Sequence, residues 1–145
     1  MDAWERQREL ARTTTRWALG SIAAGAVLAA RPDPWWRAFG RQHVGWGAVD
    51  LAIVALVNTL QARRMCRLPN PYGPAELEHE RRTLRRVLLV NVVADAGYVV
   101  LGAVLWRGRQ DPRASGAGAA IVVQGTFLLL HDAHHAARSS ARTSA

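Results

Sequence analysis

Residues 87–106 read VLLVNVVADAGYVVLGAVLW, twenty positions with a single charge, Asp95, and apolar side chains on nearly every side. At 1.5 Å per residue such a helix is about 30 Å long, the thickness of a hydrocarbon core. A helix of a soluble bundle keeps a polar stripe for water. This one has no continuous stripe, and a chain of 145 residues is too short to wrap it in protein. The solvent expected around it is lipid.

Three further stretches read the same way. Residues 17–30 lie between Arg16 and Arg31, residues 42–62 are interrupted only by Asp50, and residues 114–130 carry no charge. The expected fold is all-α: one membrane domain of four transmembrane helices with short connections. The first stretch is short, so its flanking arginines would snorkel to the head groups. It is read as a retained helix, because the preceding segment is long and carries Asp2, Glu5 and Glu9, unlike a signal peptide. Small residues recur in it four apart, as Gly20/Ala24, Ser21/Gly25 and Gly25/Ala29, a spacing that admits another helix backbone at close range.

Breakers separate the stretches. Arg31-Pro32-Asp33-Pro34 ends the first helix, since proline lacks a donor and disfavours helix in the residue before it. Trp35, Trp36 and Phe39 then fall where an interfacial aromatic belt would sit. The middle loop, residues 63–86, begins as an irregular turn around Pro69, Pro71, Gly73 and Pro74. From residue 75 it reads as a polar helix, with Glu78 four residues before Arg82, running straight into the third span. Residues 107–113 form a short link, and residues 131–145 a polar tail.

All the positive charge is arginine: 19 residues and no lysine, for a net charge of +8. The arginines flank apolar spans, so anionic head groups of a bilayer are the expected partner and nucleic acid is not. Thirteen lie in the N-terminal segment, the middle loop and the tail; six (Arg31, Arg37, Arg41, Arg107, Arg109 and Arg113) lie on the opposite side. That excess places both termini and the middle loop in the cytoplasm of a cell membrane, of the bacterial inner-membrane type. The single cysteine, Cys66, leaves no internal disulfide and no multi-cysteine zinc site.

Polar residues inside the spans are costly and point to function or to helix pairing. The second span holds His43, Asp50 and Asn58; the third holds Asn91, Asp95 and Tyr98; the fourth holds Gln124. At about 100° per residue His43 and Asp50 lie roughly 20° apart, and Asn58 roughly 60° from His43. Asn91, Asp95 and Tyr98 share a narrow wedge. One polar stripe per helix, at matching depth, predicts an internal polar cavity. Two facing carboxylates in low dielectric would share a proton. Two functions follow: a cavity that binds a proton, an ion or a polar or amphipathic ligand, or a structural or accessory subunit whose polar residues specify helix packing, as a homo-oligomer or in a larger membrane complex.

His131-Asp132-Ala133-His134-His135 places His131 and His135 on one helical face, the spacing of paired metal ligands, with Asp132 as a third candidate. These five residues resemble the first histidine box of membrane fatty-acid desaturases, which implies a metal-dependent membrane enzyme. Such enzymes carry several boxes, whereas this chain has five histidines in all. Histidines also suit the negative end of a helix dipole. No phosphate-binding glycine loop, GxSxG elbow or HExxH is present, so no catalytic residue is assigned.

Overall fold

The computed structural model describes residues 1–108 and 110–140 and contains four helices: α1 (Ala3–Ala29), α2 (Pro34–Arg67), α3 (Pro74–Gly108) and α4 (Pro112–Ser140). Arg109 and residues 141–145, which entered the charge count and the expected tail, lie outside the described residues. Three of the four helices, α2, α3 and α4, are long and apolar enough to cross a membrane. The short first stretch does not place α1 among them.

Each helix is longer than its apolar stretch, and local chemistry explains why. α1 starts fourteen residues before residue 17 because Asp2 and Glu5 form a capping box. The Glu5 N–H donates to Asp2 Oδ1 at 2.8 Å, and the Asp2 N–H donates to Glu5 Oε2 at 3.0 Å. This satisfies two donors that the first helical turn leaves free. α2 begins at Pro34, since a proline in the first turn needs no donor and Asp33 caps it, accepting from the N–H groups of Trp35 and Trp36. Trp35 and Trp36 therefore sit in a helix rather than in a loop. The irregular part of the middle loop shrinks to residues 68–73, and the polar helix from Pro74 continues into the third span. There the Arg81 and Arg82 guanidinium groups grip the Glu78 carboxylate and hold its pKa down at about 2. Residues 131–140, read as a polar tail, extend α4 instead.

α1 with α2 and α3 with α4 form two antiparallel hairpins, joined chiefly through α2 against α4. Their tight ends lie together: Trp35 Nε1 donates to Ser115 Oγ at 3.2 Å, and that hydroxyl donates to the Trp106 carbonyl at 3.1 Å. We call this the hairpin end. At the opposite, terminal end, Trp4 is fully buried and donates its Nε1–H to the Pro71 carbonyl at 2.8 Å.

Glycine makes both hairpins close. A methyl group added to Gly25 would lie 2.7 Å from the Gly40 carbonyl oxygen, and one on Gly118 would lie 2.7 Å from that of Gly102. Ser21 and Gly25 of the four-apart pattern thus face α2, while Gly20 and Ala24 are exposed. Small residues matter here because van der Waals contact, not water release, drives helix association in lipid.

The distribution of side chains is inverted relative to a soluble bundle. Val90, Val93 and Val100 of α3 are 64–74% exposed, while Asp50, Asp95, Gln124, Asp132 and His135 are buried. In water so much exposed apolar surface would drive association; in hydrocarbon it is the stable arrangement.

Replacing Gly118 by Leu is expected to destabilise the protein by about 1–3 kcal/mol, through overpacking of the α3–α4 crossing. Gly97, which has open space around its Cα, should accept Ala with no loss, or a gain of up to about 1 kcal/mol. Equilibrium unfolding of both variants in detergent micelles tests the pair; equal loss in both would contradict the crossing.

Candidate functional site

Between α2 and α3 the two hairpins part. Among the described residues these helices do not pack along their length; they meet at two bridges. Near the hairpin end the Trp46 and Tyr98 rings stand edge to face, 5.3 Å apart at 81°. Near the terminal end Arg64 forms an ion pair with Glu80, which is buried. Eighteen residues separate the bridges along each helix, about 27 Å at helical rise. The space between is a partly open groove of about 960 Å³, backed by the first half of α1 and by Leu128, His131 and Asp132 of α4. That is the upper range of ligand pockets.

Asp50 and Asp95 both border this groove. They are 5% and 7% exposed, and the Oδ2 of each is buried without a hydrogen-bond partner. Asp132 borders the same groove. A buried polar group without a partner costs about 1–3 kcal/mol, and more if charged. Trp46 Nε1 is likewise buried and unpaired. The remaining walls are mostly apolar, with Ile53, Val57 and Leu60 on α2 and Leu84, Val87 and Leu88 on α3.

One turn below Asp95, Asn91 also borders the groove, and its Nδ2–H donates to Asp132 Oδ2 at 2.9 Å. The other oxygen of Asp132 meets His131 Nδ1 at 3.0 Å. The residues this groove brings together are thus Asp50, Asn91, Asp95 and Tyr98, with Asp132 and His131 behind them.

His43, Asn58 and Gln124 lie elsewhere. His43 is buried at the α1–α2 crossing, against Phe39 and beside Gly25, almost two turns nearer the hairpin end than Asp50. Asn58 is exposed and borders a separate shallow depression with Arg8 and Arg12. It stands about 80° from Asp50 around α2, enough to turn it out of the groove. Gln124 is 2% exposed, but it faces α1, where its Oε1 accepts from Trp17 Nε1. The same indole stacks on Phe127, with ring centroids 3.9 Å apart.

The histidine cluster is helical, and the His131 and His135 rings lie 4.8 Å apart. Among the described residues no group of three or more His, Cys, Asp or Glu side chains is placed to hold a metal ion. Asp132 turns to Asn91 as well as to its neighbour His131.

Sequence reasoning did not find the Arg64–Glu80 pair or the roles of Trp4 and Trp17. For Trp46 a signal existed: it stands four residues before Asp50, hence on the same face. Arg64 and Glu80 lie on either side of an irregular turn, and no periodicity relates them.

Residues 13–133 match the model of a family of unknown function, DUF6992, and the chain belongs to that family. No match was found among curated proteins or solved structures.

Trp17→Phe keeps the ring on Phe127 and deletes the donor to the buried Gln124. We expect a loss of about 0.6–2 kcal/mol, the range for hydrogen bonds between helices in membranes. A Trp17→Phe, Gln124→Leu double variant should recover part of it, since no buried amide is then left unpaired. Unfolding in micelles measures both; no loss in the single variant would remove Gln124 from the packing role.

Proposed function

We propose that this is a four-span protein of the cell membrane, with its terminal end in the cytoplasm, that binds an amphipathic ligand in the groove between α2 and α3. The observation that carries the proposal is the pair Asp50 and Asp95. Both are buried, each has a carboxylate oxygen without a partner, and both border a groove whose lining is mostly apolar. An unfilled need for polar partners at one level and long apolar walls below it match a molecule with a polar head and an apolar chain. The groove is partly open between α2 and α3, so in a bilayer such a ligand would enter sideways between these helices.

Two features support the fourth span and the orientation. α1 packs along α2 with its apolar half level with the spans, and its arginines can snorkel. The arginine excess lies at the terminal end, the end that anionic head groups and the positive-inside rule favour in the cytoplasm. The packing reading has its own support in particular residues: Gln124 held by Trp17 and Asn91 held by Asp132 join helices to each other. Those contacts build the frame, and Asp50 and Asp95 are left over for a ligand. Binding, with no reaction at the groove, is the activity proposed; homo-oligomers or a larger membrane complex fit the wide apolar exterior.

Ala94 borders the groove, whereas Val93 is 74% exposed and does not. Protein purified in mild detergent should yield a co-purifying amphiphile on organic extraction and mass spectrometry. Ala94→Trp should lower its recovery at least fivefold, and Val93→Trp should leave it unchanged. Equal recovery from both variants, or nothing from the wild type, would defeat the proposal. For the orientation, exposed Cys66 is a natural probe as the sole cysteine. A membrane-impermeant thiol reagent should label it only after cells are permeabilised, and labelling in intact cells reverses the topology.

A further inference from the structure

We infer that the ligand's head group is a primary or secondary ammonium, carried on a long hydrocarbon chain and seated between Asp50 and Asp95. The inference rests on the groove being the ligand site and adds the chemistry of the head group.

Charge is the first ground. Asp50, Asp95 and Asp132 all border the groove, while Arg64 is the one arginine among its lining residues and is already paired with Glu80. Among the described residues no arginine lines the groove at the level of Asp50 and Asp95, and His131, which does line it, is bonded to Asp132. A carboxylate held away from water needs an opposite charge or a proton to remain there. An anionic head group would add repulsion to an acidic site. A cationic one supplies what the site lacks.

Hydrogen-bonding capacity is the second ground. The unpaired atoms of the two acids are oxygens, Oδ2 in each case. Ammonium N–H groups can donate to both, and charge-assisted bonds of this kind are the stronger class. A quaternary ammonium has no donor and would satisfy the charge alone. Aromatic rings are the third ground. Trp46 is one helical turn from Asp50, and Tyr98 is three residues from Asp95, so the perpendicular ring pair lines the groove beside the acids. Indole and phenol faces attract cations by their quadrupole.

Below the acids the groove runs fourteen residues of α2 to Arg64, about 21 Å at helical rise. Its walls there are mainly aliphatic. A bare metal ion would leave this length and nearly all of the volume empty, and two carboxylates alone do not make a closed ion site. A long chain fills it.

The test uses the full-length protein in a neutral detergent and four amphiphiles of one chain length: a primary amine, a trimethylammonium, an alcohol and a sulfate. Affinities come from native mass spectrometry. On the wild type the amine should bind at least tenfold tighter than the alcohol, with the trimethylammonium between them and the sulfate weakest. The double variant Asp50→Asn, Asp95→Asn should abolish the preference, bringing the amine to within about twofold of the alcohol measured on the same variant. Amine and alcohol binding equally to the wild type would overturn the ammonium inference and leave the groove intact. No binding of any of the four, or equal binding to Ala94→Trp, would overturn the groove reading beneath it. The wild-type ranking stands by itself if the double variant fails to fold.

Discussion

Hydrocarbon offers no hydrogen-bond partner, so a polar group carried into it must find one inside the protein or pay the full cost of desolvation. That constraint orders this molecule from the outside in. The valines of α3 turn outward, where an apolar solvent accepts them. Gln124 turns to Trp17, Asn91 to Asp132, and Asp132 to His131. Gln124 and His131 each keep one buried nitrogen unpaired beside an atom that is bonded, whereas Asp50 and Asp95 each keep a buried carboxylate oxygen with no partner on the groove itself.

The same constraint explains how the groove comes to exist. Association of helices in lipid depends on close contact, and here glycine permits it mainly toward the hairpin end, at Gly25 with Gly40 and Gly102 with Gly118. Toward the terminal end α2 and α3 carry Val, Leu and Ile where they would have to meet. Bulk on both helices keeps them apart, and the first half of α1 lines the gap from behind. The terminal end is then tied by polar contacts, Trp4 with Pro71 and Arg64 with Glu80. A tight half and a splayed half in one four-helix unit produce a site without any loop insertion.

The match to the DUF6992 family runs from residue 13 in α1 to residue 133 in α4, short of His134 and His135, and so includes every groove residue except those in the first turns of α1. The family description assigns no activity, and the chemistry of the groove has to be argued from the side chains themselves. Of the three functions open at the start, the metal-dependent one has the least in its favour, since His131 and His135 gather no third ligand among the described residues.

The helical class, the apolar runs and the breakers at residues 31–34 and 69–74 were legible from the chain alone, because each follows from backbone chemistry and from hydropathy summed over about twenty neighbours. The angular wedge holding Asn91, Asp95 and Tyr98 was legible for the same reason: one helix sets the directions of its own side chains. Which helix faces which was not. Asp50 and Asn58 both looked like members of one stripe, yet only Asp50 meets the groove; Gln124 shared the depth of Asp50 and Asp95 and turned instead to α1. Those outcomes depend on how two glycine-tightened hairpins dock, a long-range contact set by the shapes of surfaces distant in the chain. Local periodicity carries no information about it, whereas three-dimensional packing leaves Asp50 and Asp95 on one space that none of the described residues fills.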